Sequence, residues 1–579
     1  MTYFDTSKYN CRILLDTLIA KGVKEFIVSP GSRNAPLIIG LENRKNIKIY
    51  RCTDERTAGF MALGLSLVKQ SPVALCCTSG TALYNYAPAI AEAFYQKIPL
   101  IVLSADRPIQ WIGQDDSQTL FQFDSLSKIV KRSFEIPDDN PSSKDMDWYV
   151  NRLANEAINV AMQPQKGPVH INIRFDNPLS NLSDIKDKSN IRIIDNADVA
   201  TYNPLALRKY GEMLKDKKIL IVAGFMPPDN KLNRVLQKYE SIPNVKILCE
   251  TLSNLHLKGN PYAIDRIFSV IENSNDSNNL YENLRPDIVI AIGGALVSRK
   301  LKEFIRQFTP KEMWTLADTD LSVDCFKSLT KHFNIFPTQF FTGIFRYISK
   351  NQTENVEDGV NTKISYNQRW KNFLNISYRK DEEFFANCKC WSELYALKSI
   401  FNNINPSTNL FLSNGTVVRY GQLFAEIIPH AVYGNRGVSG IEGTNATALG
   451  VSIGYNNNTI LITGDMSFSY DTAVLGLKKY SNRLKIIVIN NSGGGIFRFI
   501  PVSRNLDCRE DAFCVDPKVP VKGLASAYGW EYIYADNSDD FDKKFKEFEK
   551  FNGNAILELK FDPETSSKHL LEYFNYTIK

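Results

Sequence analysis

Residues 460–497 read ILITGDMSFSYDTAVLGLKKYSNRLKIIVINNSGGGIF, and this stretch decides the fold. It contains two apolar runs, ILITGDM and LKIIVINN, which have the length and β-branched content of buried strands. Gly464-Asp465 ends the first run and Asn490-Asn491 ends the second, with 24 residues between the aspartate and the first asparagine. Parallel sheets bind ligands beyond the carboxyl ends of their strands. We therefore expect both polar pairs at one edge of a single sheet, one helical crossover apart.

These strand ends offer ligands for a cation. A carboxylate and an amide oxygen, from Asp465 and Asn491, are the hard donors that Mg²⁺ and Ca²⁺ prefer. The glycines that follow permit a turn that directs the carbonyl of Gly493 at the same ion. Either pair alone is equally well explained as a turn or a helix cap. Together, on matched strand ends, they favour a metal site.

The whole chain repeats this alternation of apolar runs and helical stretches, which predicts an α/β protein with three doubly wound parallel sheets. We place the domains at 1–185, 191–350 and 364–579, separated by polar segments at 180–190 and 351–363. The other apolar runs that predict strands are EFIVS (25–29), PVALCCT (72–78), PLIVLSA (99–105), KKILIVAG (217–224), NVKILCE (244–250), PDIVIAIGGAL (286–296) and NAILELK (554–560). A long helical pattern, TALYNYAPAIAEAFYQ (81–96), lies between two of them.

Composition argues against several functional classes. The 579 residues include 69 Lys and Arg and 63 Asp and Glu, a formal charge of +6 without a basic stripe or tail, so we expect no nucleic-acid partner. No apolar stretch approaches the roughly 20 residues needed to cross a bilayer, and the start lacks a leader pattern. Most of the ten cysteines lie inside apolar runs, as Cys76 and Cys77 do, which is typical of reduced proteins and predicts a cytoplasmic location.

The Gly-Asp and Asn-Asn arrangement resembles the cofactor motif of thiamine diphosphate enzymes, although Met466 stands where that motif usually has Gly. The resemblance implies thiamine diphosphate held by Mg²⁺, with Mn²⁺ as an alternative, and a metal bound by Asp465, Asn491 and the Gly493 carbonyl. It also implies cofactor contacts from residues around the motif. These are Gly464, Ser467, Ile496 and Phe497, together with Ile441 beneath the bend of the cofactor. Burial in the core is the alternative explanation for Ile441.

A thiamine enzyme also needs a carboxylate against the pyrimidine ring, and the resemblance assigns Glu55 to it. Glu55 lies in TDER (53–56), directly before a helical stretch. An acidic first helical turn would explain it equally well, because the helix dipole favours negative charge there. In thiamine enzymes this glutamate hydrogen-bonds a pyrimidine nitrogen of the bent cofactor, so that the cofactor itself can activate its reactive carbon.

Further segments in all three blocks resemble a narrower family, the 2-succinyl-5-enolpyruvyl-6-hydroxy-3-cyclohexene-1-carboxylate synthases of menaquinone biosynthesis. In the second block the match is GALVSRK (294–300). The matching segments are PGSRNAPL (30–37), TDERTAGFMALG (53–64), TSGTALYNYAPAIAEA (78–93), SADRP (104–108), VYGNRGVSGIEGTNATALG (432–450) and GDMSFSYD (464–471). PGSRN, ADRP and NRGxSGI are specific when they occur together. The resemblance implies decarboxylation of 2-oxoglutarate and 1,4-addition of the resulting carbanion to isochorismate.

Two substrates that each carry two carboxylates require fixed cations, and arginine grips a carboxylate with two parallel hydrogen bonds. By motif position we nominate five basic residues and two polar ones. They are Arg33, Arg107, Lys300, Arg419 and Arg436, with Ser32 and Gln118 to orient substrate. Each basic residue taken alone could be a solvated surface group.

Two other interpretations stay open at this stage. Another thiamine-dependent 2-keto acid decarboxylase or carboligase, such as an acetolactate synthase, would share Glu55, Asp465 and Asn491 but not the set of cations. A non-catalytic protein that keeps the fold is the alternative from a different class. The family resemblance further implies a homodimer or homotetramer with each site between subunits.

Overall fold

The computed structural model describes residues 4–139, 145–163, 165–184, 191–195, 204–259, 262–319, 322–349, 364–387, 390–424 and 429–577. The proposed linker at 351–363 lies outside the described residues, as does the 185–190 part of the other linker. In the described part of the chain, no helix is both long and apolar enough to span a membrane.

The first block contains a six-stranded parallel sheet. Among its described residues, the block as a whole has eight strands: β1 (Phe4–Thr6), β2 (Glu25–Val28), β3 (Lys48–Arg51), β4 (Val73–Cys77), β5 (Leu100–Asp106), β6 (Ser133–Ile136), β7 (Val169–Arg174) and β8 (Leu182–Asp184). Its helices are α1 (Tyr9–Ala20), α2 (Ala35–Glu42), α3 (Glu55–Lys69), α4 (Ala82–Asn85), α5 (Ala87–Gln96) and α6 (Met146–Met162). The sheet order is β3-β2-β4-β5-β7-β6, and β1 pairs with β8 in a separate antiparallel ribbon. Strands β4 and β5 are buried at every residue, which explains their unbroken apolar runs.

One helical prediction is wrong in this block. The pattern at 81–96 predicts a single helix, but the structure has α4 and α5, which meet at Tyr86. Pro88 lies in the first turn of α5 and has no N–H to donate to the preceding turn. The chain therefore ends one helix and starts another at this proline.

The second block contains a five-stranded parallel sheet of order β10-β9-β11-β12-β13. Its strands are β9 (Ile219–Ala223), β10 (Val245–Cys249), β11 (Ile288–Ile292), β12 (Glu312–Ala317) and β13 (Lys331–Asn334). Its helices are α7 (Pro204–Met213), α8 (Asn230–Tyr239), α9 (Ile264–Glu272), α10 (Ser277–Leu284), α11 (Arg299–Gln307) and α12 (Pro337–Ser349).

The third block contains the second six-stranded parallel sheet, of order β15-β14-β16-β17-β19-β18. Its strands are β14 (Asn409–Leu412), β15 (Ala431–Tyr433), β16 (Thr459–Gly464), β17 (Leu484–Asn490), β18 (Glu531–Ala535) and β19 (Ala555–Lys560). Its helices are α14 (Glu393–Asn403), α15 (Val417–Phe424), α16 (Thr444–Gly454), α17 (Asp465–Ser469), α18 (Arg509–Ala512), α19 (Val521–Tyr528), α20 (Ser538–Lys550) and α21 (Pro563–Asn575). They are preceded by α13 (Tyr366–Asn387), whose first half packs in a core of the second block.

The predicted fold class is confirmed: all three main sheets are parallel and doubly wound. Numbered in chain order within each main sheet, the strands of the first and third sheets follow the same spatial order, 2-1-3-4-6-5, and those of the second sheet follow 2-1-3-4-5. In all three sheets the order reverses beside the first strand, which is where open α/β sheets form their ligand crevice.

The first and third blocks pack together through α3 and α16, and their apolar residues form one continuous core. The contact is close because each helix has a glycine there. A Cβ on Gly64 would lie 2.0 Å from the carbonyl oxygen of Thr447, and a Cβ on Gly450 would lie 2.2 Å from that of Met61. The ring of Phe60 lies against Gly443, directly before α16. The two helices therefore run side by side with their N-termini at the same end.

Candidate active site

The two polar strand ends of the third block meet, as the sequence predicts. Strands β16 and β17 pair in parallel with Gly464 opposite Ile489, so both end at one edge of the sheet. Asp465 and Asn491 are both buried. The Asp465 carboxylate accepts hydrogen bonds from the N–H groups of Met466 (2.8 Å) and Gly493 (2.9 Å). These bonds bring the carboxylate against the glycine turn.

The amide of Asn491 is held in one orientation by Glu393, the first residue of α14. Its Nδ2 donates to Oε1 of Glu393 at 2.7 Å, which leaves its Oδ1 as the atom available to a cation. Burial raises the pKa of Glu393 to about 7. In the described part of the chain no group of three His, Cys, Asp or Glu side chains is placed to hold a metal. A cation at Asp465 would therefore depend on amide and carbonyl oxygens.

The glycine turn has a conformation that few other residues adopt. Ser492, Gly493 and Gly494 all have positive φ, of 60°, 79° and 56°. A Cβ on Gly493 would lie 2.0 Å from the carbonyl oxygen of Val515, so only glycine fits. The Gly493 carbonyl also accepts a hydrogen bond from Arg498 (3.0 Å), which is paired with Glu510 (2.8 Å). A cation bound to this oxygen would use its second lone pair.

Ser467 and Ile441 belong to the same network. The Ser467 hydroxyl donates to the Ile441 carbonyl at 2.5 Å, which ties the start of α17 to the loop before α16. Ile441 is half-buried and lies outside the apolar core, which favours its predicted role over core packing. Ile496 and Phe497 are also half-buried, and the ring of Phe497 packs on Phe513.

Glu55 is the first residue of α3, but it is Asp54 that caps the helix. The Asp54 carboxylate accepts from the N–H of Arg56 (3.0 Å) and the hydroxyl of Thr57 (2.8 Å). Glu55 is half-buried. The start of α3 faces the third block, because the Arg56 guanidinium donates a hydrogen bond to the carbonyl of Tyr470. Glu55 itself lies in the first turn of α3, where the helix dipole favours its negative charge, as the alternative explanation from the sequence requires.

Two arginines of the first block lie close together. Burial and the nearby charge of Arg107 lower the pKa of Arg33, whose guanidinium donates to the Phe175 carbonyl (2.9 Å). Arg107 pairs with Asp116 (2.8 Å) and donates twice to the Ser117 carbonyl (3.0 and 2.7 Å). It thereby fixes the loop that carries Gln118. Gln118 and Ser32 are both exposed.

A second pair of arginines lies in the third block. Partial desolvation and the nearby charge of Arg436 lower the pKa of Arg419. Arg436 donates to Oδ1 of Asn414 at 2.7 Å, while its buried Nε has no hydrogen-bond partner among the described residues. Burial also lowers the pKa of Arg436. Two guanidinium groups held together in a partly desolvated place form a site suited to an anion.

Lys300, in the first turn of α11, completes the set of cations. Its amine pairs with Glu272 of α9 and lies 5.2 Å from the centre of the Phe574 ring. Burial raises the pKa of Asp265, and the charges of both Lys300 and Arg419 oppose that rise. Lys300 therefore lies on the Arg419 side of the site in the single chain.

Comparison with known proteins identifies the family. The family model for the N-terminal binding domain of thiamine pyrophosphate enzymes matches residues 11–126, and the one for their C-terminal binding domain matches residues 415–559. A 2-succinyl-5-enolpyruvyl-6-hydroxy-3-cyclohexene-1-carboxylate synthase of Porphyromonas gingivalis is 35% identical over 99% of this chain and 97% of its own length. The chain belongs to this synthase family.

Other members of the family are similar along their whole length. The synthase of Christiangramia forsetii is 32% identical over 98% of both chains, and that of Flavobacterium johnsoniae is 33% identical over 97% of both. The predicted family and the dependence on thiamine diphosphate are thereby confirmed. The two matched domains contain Glu55 and Asp465, the residues assigned to the two ends of the cofactor.

The sequence did not reveal three residues that shape this site: Glu393, Arg498 and Glu92. Glu393 contacts a residue 98 positions away in the chain, and Glu92 contacts residues about 345 positions away. Arg498 is closer, and its place directly after GGGIF was a usable signal. The other two lie in helices, where nothing in the local pattern separates them from surface acids.

Proposed function

We propose that the protein is a thiamine diphosphate-dependent 2-succinyl-5-enolpyruvyl-6-hydroxy-3-cyclohexene-1-carboxylate synthase of menaquinone biosynthesis. In the reaction, the bond between the carboxylate and the keto carbon of 2-oxoglutarate breaks and CO₂ leaves. The remaining four-carbon unit forms a carbon–carbon bond with the ring of isochorismate in a 1,4-addition. Membership of the synthase family and the two arginine pairs support this proposal.

The arginine pairs are the observation that carries the choice of substrates. Arg33 with Arg107, and Arg419 with Arg436, each hold two like charges near one another. Like charges in this arrangement favour the binding of an anion between them, although Asp116 already offsets part of the charge of the first pair. Two substrates with two carboxylates each match two such pairs. A pyruvate-using relative has a single carboxylate to hold and needs fewer cations.

The residues of the third block fit a metal and a diphosphate. Asp465, Asn491 and the Gly493 carbonyl would hold Mg²⁺, or Mn²⁺ in its place, with Gly464 and Ser467 beside the diphosphate. A buried polar atom without a hydrogen-bond partner among the described residues lies beside this site: Oε2 of Glu393, whose other oxygen binds Asn491. Polar atoms buried in this way require a polar ligand or water.

When bound, the thiamine group supplies the carbon nucleophile and the electron sink for cleavage beside a keto group. The chain supplies the surroundings. Glu55 would share a proton with a ring nitrogen of the thiamine group, and Ile441 would supply an apolar support beneath it. Ile496 and Phe497 form an apolar wall that limits water at the reacting carbon. Arg436 and Arg419 hold the carboxylates of 2-oxoglutarate. Arg33 and Arg107 hold isochorismate, and Lys300 reaches it from the side of Arg419. Ser32 and Gln118 orient the substrates.

A direct assay tests this function. The pure protein is incubated with thiamine diphosphate, Mg²⁺, 2-oxoglutarate and isochorismate, and the product is identified by mass. We expect one CO₂ released for each isochorismate consumed, and no product from Glu55→Gln. Pyruvate replaces 2-oxoglutarate in a parallel reaction. Turnover of pyruvate with no use of isochorismate would point to an acetolactate synthase type of enzyme instead.

We also propose a homodimer, or a homotetramer built from dimers, with the cofactor between subunits. The loop after Arg107 exposes Trp111, Phe121 and Phe123, and Phe121 is 76% exposed. Val502, beyond the glycine turn, is also 76% exposed. Apolar side chains grouped beside a binding site favour cover by a second subunit. In the single chain, α3 and α16 already bring the two cofactor-binding blocks together. A subunit-mixing experiment is therefore needed to distinguish a site within one chain from a site shared by two.

The cytoplasmic location stays a prediction. It rests on the burial of cysteines such as Cys76 and Cys77 inside apolar strands, a setting typical of reduced thiols.

A further inference from the structure

A buried carboxylate of the first block holds a loop of the third. Glu92 lies on α5 and is 1% exposed. It accepts hydrogen bonds from three consecutive backbone N–H groups, those of Gly437 (2.5 Å), Val438 (2.7 Å) and Ser439 (3.3 Å). Successive N–H groups that converge in this way form an anion-binding nest. The nest is filled by a side chain from another block of the same protein.

The contact is specific in shape as well as in charge. A Cβ on Gly437 would lie 2.5 Å from the backbone carbonyl of Glu92, so only glycine permits this approach. Gln96, one turn further along α5, donates both to the Glu92 carboxylate and to the Gly434 carbonyl (3.3 Å). The described residues include no salt bridge to Glu92. The backbone nest and the Gln96 amide therefore replace the solvation that the carboxylate loses on burial.

The loop that Glu92 holds, residues 434–441, is the one that leads from β15 to α16. It carries Arg436 and ends at Ile441. Burial of its own apolar residues contributes little to fixing it, because Val438 is 49% exposed. Ser439 has a φ of 63°, a left-handed conformation that costs energy for a residue other than glycine. The hydrogen bond from its N–H to Glu92 helps to hold that conformation.

We infer that Glu92 is a positioning residue that sets the conformation of the 434–441 loop and thereby places Arg436 and Ile441 in the site. Its carboxylate acts through the backbone and touches neither substrate nor cofactor. Glu92 is also one of the acids whose charge opposes the lowering of the Arg436 pKa. What Arg436 binds rests on the proposed function, but the control of the loop does not.

Limited proteolysis tests the loop independently of any activity. Trypsin cleaves after arginine, and the Arg436–Gly437 bond lies inside the held segment. We expect Glu92→Ala and Glu92→Gln to raise the rate of cleavage at this bond at least about 10-fold in folded protein, because charge-assisted hydrogen bonds are lost. Tyr480→Phe is the matched control. Tyr480 bonds the N–H (2.7 Å) and the carbonyl (3.1 Å) of Arg51 across the same pair of blocks, without touching the loop.

Chemical rescue separates positioning from packing. Glu92→Ala leaves the nest empty, so added formate should slow cleavage at Arg436 and restore the affinity for 2-oxoglutarate. Formate should have no effect on Glu92→Gln, whose side chain still fills the space, or on Tyr480→Phe. The proposal is overturned if both Glu92 variants resist trypsin as the wild type does, or if formate acts equally on all variants. If the assay finds a different substrate, the proteolysis result still decides the role of Glu92.

Discussion

At the scale of single residues, the site depends on side chains whose surroundings are set by their neighbours. Asp54 caps α3 beside Glu55, and Glu393 fixes the orientation of the Asn491 amide. A residue in such a place is poorly explained by stability alone. Changing it should alter binding more than folding.

Asp465→Ala should abolish binding of thiamine diphosphate in the presence of Mg²⁺. The carboxylate is the only charged ligand in the proposed metal site, and without it the diphosphate charge stays uncompensated. Calorimetry with Mg²⁺ present measures the affinity. Asp507→Ala, at an exposed aspartate, serves as the control and should bind normally. Normal affinity in Asp465→Ala would refute the metal assignment.

Arg107→Ala should raise the KM for isochorismate more than that for 2-oxoglutarate, and Arg436→Ala should do the reverse. Loss of one charge-assisted contact costs about 1.5–3 kcal/mol, or roughly 10- to 150-fold in kcat/KM. Steady-state kinetics with each substrate varied in turn supplies the values. Arg208→Ala, in an exposed ion pair on α7, should leave both constants unchanged. Wild-type constants in both test variants would show that these arginines are solvated surface groups.

The sequence predicted single residues where the polar side chain sits at the end of a strand. Asp465 and Asn491 follow apolar runs, and the geometry of parallel sheets alone brings such ends together. Glu393 and Glu92 could not be found in this way, because helical acids are usually solvated. Their roles depend on hydrogen-bond partners that are far away in the chain, and a local sequence pattern does not reveal such partners.

At the scale of elements, the fully buried strands made the sheets predictable. A strand such as β4 is apolar on both faces, so it reads as an unbroken run. The break between α4 and α5 was missed because the apolar pattern continues across it and only Pro88 marks the change. Periodicity also could not show that α3 packs on α16. The contact depends on Gly64 and Gly450, and a glycine in a helical pattern does not by itself indicate a close contact with another helix.

Gly64→Ala should destabilise the protein and weaken thiamine diphosphate binding together. The added methyl group would lie 2.0 Å from the Thr447 carbonyl oxygen, which must push α3 away from α16 at a cost of about 1–3 kcal/mol. Gly523→Ala in α19 is the control. Its Cβ would meet only Pro520 at 3.7 Å, so helix propensity should make it neutral or stabilising. Thermal unfolding and cofactor titration measure both effects, and equal stability of the two variants would contradict the close packing.

Glu250 should make the free energy of unfolding depend on pH. Its side chain binds the backbone directly before α11. It is fully buried and accepts from the N–H groups of Val297 (2.8 Å) and Ser298 (2.7 Å), and burial raises its pKa to about 7. An acid with a raised pKa binds its proton more tightly in the folded state. Its stabilisation is therefore complete below the unfolded pKa, roughly 4.3, and is lost as pH rises to about 7.

The Glu250→Gln variant checks this dependence, because glutamine does not titrate. Between pH 4.5 and pH 8 the free energy of unfolding of the wild type should fall relative to that of the variant, by up to about 3 kcal/mol. Denaturant unfolding at several pH values measures it. Parallel pH profiles for the two proteins would show that Glu250 does not titrate in this range.

At the scale of the whole molecule, the open question is which chains complete one site. Glu55→Gln and Asp465→Ala should each be inactive alone. If the cofactor lies between subunits, as the family resemblance implies, mixed dimers contain one intact site and recover part of the activity. If α3 and α16 of one chain enclose it, mixed dimers stay inactive. Exchange of subunits is verified by mass before the assay, so an absence of recovery would count against sharing.

The shared strand order of the first and third sheets has a consequence for the history of the chain. In both, the segment after the second strand enters the site: Glu55 follows β3, and Ile441 follows β15. Both segments lead into the helices that lie side by side. Duplication of one ancestral unit would produce this arrangement directly, with two copies of one crossover facing each other. Divergence would then have given one copy an acid and the other an apolar support, so that two descendants of one loop serve different parts of one ligand.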